Sequence, residues 1–369
     1  MNSSEFLIEN GTLVKYTGNS ARVTIPNSVV TIGKEAFKSC KYIRNVSIPN
    51  SVKHIKDDAF NSCSSLTNVI IPDSVVTIGN YAFANCDFLT SVSISNCAKS
   101  IGCSAFRNCK CLADITLPNS IESIGDYAFG GCSRLREIFI PKSVTSIGES
   151  ILCHCSSLTN IKVDTNNQNY MTVDGNIYSK DGTVMLQYAS GKRDSSFSIP
   201  NYVKNIDGAF FQCEFLERVS IPSSVKSMKY AFAHCRALET VAMPAGIDCI
   251  GEGAFAGCKS LKNITIPDSV TIIEDSVFYE CISLESLVIP NSVKNIGDNA
   301  FFRCINATIY IPDYVDCPYS AFSNCNDVKS NKDAPKIHKV DSMSKSNVPY
   351  VFISYSKKMR SMQRMRDIC

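Results

Sequence analysis

One pattern returns about every 23 residues along most of this 369-residue chain, and it leaves few folds open. Its fullest copy is Leu66-Thr-Asn-Val-Ile-Ile-Pro-Asp-Ser-Val-Val-Thr-Ile-Gly-Asn-Tyr-Ala-Phe-Ala-Asn-Cys86. The proline position falls at Pro26, Pro49, Pro72, Ser95, Pro118 and Pro141, then resumes at Pro200, Pro222, Pro244, Pro267, Pro290 and Pro312. A cysteine position keeps step with it, at Cys40, Cys63, Cys86, Cys109, Cys132 and Cys155, then at Cys213, Cys235, Cys258, Cys281, Cys304 and Cys325. An aromatic position three residues before each cysteine is Phe in every copy except the one with Leu152. A unit this short cannot bury its own apolar face, whereas stacked units share one continuous core, so the period dictates a solenoid.

Each segment of the unit has a local reading. Leu-x-x-Val-x-Ile alternates with period two and predicts a short strand with one buried face. The proline after it lacks the N–H that would continue the ladder. Ser-Val-x-x-Ile predicts a second short extended piece with Val and Ile inward, and the following Gly is expected to supply an unusual φ at the turn. Ala-Phe-x-x-Cys has the spacing of about one helical turn.

These residues together resemble the BspA-like (Treponema pallidum-type) leucine-rich repeats, over roughly residues 1 to 325. The resemblance implies an α/β repeat fold: a right-handed curved solenoid, a parallel β-sheet on its concave face, and short helical turns on the other side. It also implies an interaction protein, since many bacterial and protozoan members are surface adhesins or antigens.

Taken in order, residues 1–25 read as a cap, with Asn10-Gly11 between two apolar runs as a hairpin turn. Residues 26–163 are a first block of repeats and 199–325 a second. Between them, 164–198 breaks the pattern but keeps alternating apolar residues around Asp181-Gly182, which predicts a β-hairpin island projecting from the solenoid. The island echoes the cap, Asp181-Gly-Thr-Val-Met-Leu-Gln-Tyr188 against Asn10-Gly-Thr-Leu-Val-Lys-Tyr16. Residues 326–348, rich in Lys, Ser, Asp and Asn, read as a flexible linker. Residues 349–369 read as a strand, a short loop and a helix, and Val351-Phe-Ile-Ser-Tyr-Ser356 resembles the first strand and box of TIR domains; the alternative is a basic amphipathic helix that touches a membrane or partner. The acidic residue common after that box is missing from Ser356-Lys-Lys-Met359, and the catalytic Glu of NAD-cleaving TIR domains would lie beyond Cys369.

Charge excludes one class of partner. The net +3 conceals +7 from Lys329 onward, so the repeats carry 3 − 7 = −4 and offer no basic face to nucleic acid. The first ten residues lack a basic, apolar leader, and no run is long enough to span a membrane, which points to the cytosol. A chain trimmed of its signal would look the same. Sequons such as Asn10-Gly-Thr12, Asn263-Ile-Thr265 and Asn306-Ala-Thr308 would matter only in a eukaryotic secretory route.

Nineteen cysteines suggest a disulfide framework, but twelve occupy one register position and form an inward column, which favours reduced thiols. Cys153-His154-Cys155 and Cys109-Lys-Cys111 have no second pair at zinc spacing, and column membership commits one cysteine of each inward. No nucleophile–base arrangement, P-loop or dinucleotide-binding glycine pattern occurs, so neither an enzyme nor a cofactor is expected.

A binding role then falls to the outward positions beside Val in Leu-x-x-Val-x-Ile. Most are small and polar. The one mixed apolar and charged cluster is Phe139 beside Glu137, with Asp114 and Lys162 on the flanking strands: an aromatic anchor with a charged rim, the composition of a protein interface. Three roles follow: a cytosolic scaffold for a protein partner, a surface adhesin or antigen, or the sensing repeats of a TIR effector.

Overall fold

The computed structural model describes residues 5–334, and every repeat within that span forms one turn of a parallel-strand solenoid with almost no helix. The Val-x-Ile segments pair in parallel and in register. Asn68–Ile70 lies between Asn45–Ser47 and Ser91–Ser93, with Val69 opposite Val46 and Val92. Five such strands, from Arg22–Thr24 to Asp114–Thr116, make the first sheet on this face. Glu137–Ile140 pairs with Asn160–Val163, and Ser196–Ser198 starts the sheet of the second block. The x-Ile segments build a second ladder of two-residue strands, from Thr31–Ile32 to Ser146–Ile147. The hairpin of Phe6–Glu9 and Thr12–Tyr16 closes its N-terminal end.

The third side is the segment expected to be helical; its last copy, Tyr319–Phe322, is a 3₁₀ turn, and the copies before it are not helical. An α-helix would spend its amides on carbonyls four residues back. Here they alternate between a local turn and the next repeat. Cys63 N–H returns to the Phe60 carbonyl at 3.1 Å, while Phe60 N–H and Ser62 N–H reach forward to Ala82 and Ala84 at 2.7 and 2.8 Å. Left-handed residues flank these turns up to Asn299 and Arg303, for example Asp58 (φ 56°) and Ser62 (φ 61°). The stack takes the hydrogen bonds that a helix would need.

The role expected of the Ile-Gly glycine is corrected as well. Gly79, Gly102, Gly125 and Gly148 do not have positive φ. A Cβ on Gly102 would lie 2.5 Å from the Gly79 carbonyl carbon, and one on Gly79 would lie 2.6 Å from the Asp57 nitrogen. At these four corners consecutive turns touch backbone to backbone and leave no room for a Cβ, whereas Lys56, Asp207, Lys229 and Glu274 hold the same place in other repeats.

The interior is filled by the repeated Leu, Val, Ile, Phe and Cys side chains. The phenylalanines form a ladder: Phe37, Phe60, Phe83, Phe106 and Phe129 stack within 6° of parallel, with centroids 4.7–5.7 Å apart. Leu152 interrupts it. Tyr188 restarts it against Phe210 at 5.3 Å, tilted by 31°, much as Tyr16 starts it against Phe37 at 5.2 Å and 37°.

The island differs from the projecting hairpin expected. It is a three-stranded antiparallel sheet, Tyr170–Val173, Asn176–Ser179 and Met185–Gln187, and its middle strand is fully buried. Ile177 packs into the core of the first block and Tyr178 into that of the second. Alternation along a strand puts neighbouring side chains on opposite faces, so one strand seals two cores.

The linker expected from residue 326 is also partly ordered. Asp327–Ser330 continues the sheet in parallel beside Thr308–Ile311, followed by a 3₁₀ turn, Asn331–Asp333. Few apolar groups hold it. Ser330 donates to Asp313 at 2.7 Å, Asn331 donates to the Ile289 carbonyl at 2.6 Å, and Lys332 pairs with Asp313. A free sheet edge can be extended by backbone bonds alone, which composition does not reveal. The rest of the expected linker and the TIR-like segment 349–369 lie outside the described residues.

Candidate binding face

Each Val-x-Ile strand turns one residue inward and its two neighbours outward, an exposed-buried-exposed pattern kept from Arg22–Thr24 to Asp114–Thr116. The strand pairing therefore lays the outward residues in two straight columns, with neighbours about 4.8 Å apart. Glu137 and Phe139 extend these columns, with Asn160 and Lys162 as their partners on the next strand.

The structure brings Lys162 and Glu137 together. The Lys162 Nζ lies 2.8 Å from Glu137 Oε2, across the strand from Phe139, and both side chains are about half exposed. Phe139 is 43% exposed, although Ile138 and Ile140 beside it are buried. Asp114 is exposed at the position one repeat before Glu137. An exposed ion pair of this kind contributes little stability, roughly 0–1 kcal/mol. Its effect is to fix the rim around the ring.

Other exposed apolar groups stand near this face. Ile70, in the column of Phe139, is 71% exposed, and Phe88 and Tyr42, each just before the first position of a strand motif, are 61% and 72% exposed. A large apolar residue between Ser47 and Ser93 in a column of mostly small polar residues is the signal that marks Ile70 in the sequence. Elsewhere, a depression of about 260 Å³ is lined by Glu252, Glu274 and Asp275. Its Glu274 carboxylate already accepts the Glu252 N–H at 2.8 Å and pairs with Lys229 at 3.4 Å.

His154 and Cys153 are placed in a different setting. Cys153 packs with Phe211 and Tyr230 in a small third cluster outside the two cores. Phe211 meets His154 edge-on at 6.4 Å and His234 at 5.8 Å. Burial, reinforced by Arg107, His234 and Arg236, pushes the His154 imidazole down to about 4. Among the described residues, no group of three His, Cys, Asp or Glu side chains is arranged to hold a metal ion, and no helix is long and apolar enough to cross a membrane.

The sequence matches the model of the BspA type leucine rich repeat region (6 copies) over residues 11–110, 76–178, 189–308 and 250–365. The chain belongs to the BspA-type leucine-rich repeat family. A solved leucine rich cell surface protein from Faecalibacterium prausnitzii is 32% identical, with 90% of this chain and 92% of that one covered and a TM-score of 0.65. A leucine-rich repeat protein from Eubacterium ventriosum is 25% identical over 89% and 94% of the two chains, with a TM-score of 0.68. The pneumococcal vaccine antigen PcpA, 24% identical over 85% and 79%, shares the fold with a TM-score of 0.62. No curated protein matches the sequence. BspA-type repeats thus account for both strand ladders and for the outward columns described above.

Proposed function

We propose that this BspA-type chain is a non-catalytic recognition scaffold that binds a protein partner on the Val-x-Ile sheet face of its first block. Phe139 is the anchor, and Glu137, Lys162 and Asp114 form the charged rim. One observation carries the reading: a phenylalanine is held 43% exposed beside a formed Lys162–Glu137 ion pair, in a column of otherwise mostly small polar residues. Aromatic side chains ringed by polar groups are the usual centres of protein interfaces. The test is capture of partners by the full chain, repeated with Phe139→Ala and Glu137→Ala. Both substitutions should weaken capture and leave the melting temperature nearly unchanged. Equal capture by wild type and both variants removes the patch.

A second reading, a surface protein, is favoured by the 32% identity to a leucine rich cell surface protein of F. prausnitzii. The column thiols are aimed at phenylalanine carbonyls, an arrangement for reduced cysteines that supports a cytosolic scaffold. Protease treatment of intact cells separates the two. Digestion of the chain on intact cells supports the surface reading, and protection supports the cytosolic one.

A further inference from the structure

Each turn of a solenoid is covered only by its neighbours, so every end of a block needs a cap. The first block begins under the N-terminal hairpin and the second under the island, where Tyr16 and Tyr188 lie against the leading phenylalanines, Phe37 and Phe210. The C-terminal end has no such cover among the described residues. Val315, Cys317, Phe322, Cys325 and Val328 hold the inward positions of the last turn, and none of them is fully buried. Val328 is 37% exposed, whereas Ile309, opposite it on the preceding strand, is sealed. Phe322 stacks on Phe301 at 5.3 Å, and among the described residues no ring lies on its other face. Asp327–Ser330 is also the last strand of its sheet, so one backbone edge is left unpaired among the described residues. A free edge accepts another extended segment.

The same chain carries a segment in register with that edge. One period beyond Val328 is Val351 (351 − 328 = 23), and Val348-Pro-Tyr-Val-Phe-Ile353 restates the strand motif Leu-x-x-Val-x-Ile. By the same count Ala334 and Ile337 fall at the positions of Val52 and Ile55, while the Phe and Cys positions fall on Ser342 and Lys345. Apolar strand positions with polar residues in place of Phe and Cys are the composition of a terminal repeat, which has no further turn above it. The BspA-type match continues to residue 365 and takes in this motif. A second copy is a poorer occupant. The edge strand carries Asp327 and Lys329, already paired with each other at 2.9 Å, and charged side chains on an edge discourage pairing between molecules.

We infer that the open C-terminal end of the solenoid is a docking surface for residues 348–353 of the same chain. Val351-Phe-Ile353 adds in parallel beside Asp327–Ser330, with Val351 opposite Val328, Phe352 opposite Lys329 and Ile353 opposite Ser330. The added strand pairs the free edge and covers Val328. The motif that resembles the first strand of a TIR domain is then the closing strand of the repeats.

The test is hydrogen exchange read by mass spectrometry on the full chain, in wild type, Val351→Asp and Val328→Asp. In wild type, the amides of 327–330 and of 350–353 should exchange about tenfold or more slowly than in an unstructured peptide. Val351→Asp, on the docking segment, should speed exchange at 327–330 by about tenfold, and Val328→Asp, on the solenoid, should do the same at 350–353. The amides of Phe60 and Ile55 should keep wild-type protection in both. Exchange of 350–353 at the unstructured rate in wild type overturns the inference, and so does protection there that neither substitution changes. Protection of 327–330 that rises with protein concentration assigns the edge to a second copy and also overturns it. The wild-type measurement needs no variant, so a substitution that fails to fold leaves the test standing.

Discussion

The thiol of Cys86 donates to the main-chain carbonyl of Phe60, the aromatic residue of the preceding repeat, across 3.3 Å. The same bond joins Cys63 to Phe37, Cys109 to Phe83 and Cys258 to Phe232. Cysteine at this position is thus more than a small apolar filler, because it ties each turn to the one before it. Cys109→Ala should remove the bond and leave a small void, at a cost of about 1–2 kcal/mol. Cys97→Ala, at an exposed position, should change stability by less than about 0.5 kcal/mol. Denaturant unfolding of the two variants against wild type checks both figures.

Gly102 separates close approach from backbone freedom. An added Cβ there meets the Gly79 carbonyl carbon at 2.5 Å, and backbone cannot move aside as a flexible side chain can. Gly102→Ala should therefore cost more than about 2 kcal/mol. Gly246 is the converse case: its φ is +98°, and nothing lies within 4 Å of an added Cβ. Gly246→Ala should cost only the conformational strain, about 1 kcal/mol. Equal losses in thermal melts would mean that the two glycines serve one purpose.

What the sequence made legible was whatever repeats in register. The Phe37–Phe60 stack, the buried Val69 and the inward thiols follow from positions that recur, because a stack turns a sequence period into spatial adjacency. The failures concern features that need the neighbouring turn to be seen. The Gly79 contact with Asp57 is one, and the forward bond of Phe60 N–H to Ala82 is another. The spacing of Ala59, Phe60 and Cys63 is shared by a helix and by a turn flanked with left-handed residues, so spacing alone did not separate them. On the candidate face, the outward columns were readable, and the Glu137–Lys162 pair follows from a strand offset of one repeat. The high exposure of Ile70 has no counterpart in the pattern, since Val-x-Ile alternation does not grade how far an outward residue protrudes.

His154 gives the pH dependence its sign. Burial holds its imidazole near 4 in the folded chain, whereas an unfolded histidine titrates near about 6.5. Between those values the unfolded state binds more protons, so stability falls as pH drops through that window and recovers above it. Discounted for partial solvent access, the loss by pH 4 should be about 2 kcal/mol. Burial and Arg236 lower His234 as well, and Glu280 opposes them. In His154→Gln, the drop in melting temperature between pH 7 and pH 4.5 should shrink. An unchanged drop would assign the acid sensitivity to other groups.

Tyr170 shows how the first block is closed. The ladder of x-Ile strands ends at Ser146–Ile147, and residue 170 is one repeat further on, where the next strand would begin. The chain has entered the island there, so a side chain stands in for the missing backbone. The Tyr170 hydroxyl accepts the Ile147 N–H at 3.0 Å and donates to the Thr145 carbonyl at 3.4 Å. Burial pushes the phenol up, which keeps it protonated and able to donate. Tyr170→Phe keeps the ring and deletes both bonds, leaving a half-buried amide unpaired at a cost of about 1–2 kcal/mol. Each turn of a solenoid contacts only its neighbours, so the damage should stay local. Hydrogen exchange should quicken at the Ile147 amide and through the 145–173 region, while the amides of Phe60 and Ile55 keep wild-type protection. Faster exchange spread evenly over the block would show that its turns unfold together and that the hydroxyl is not a local cap.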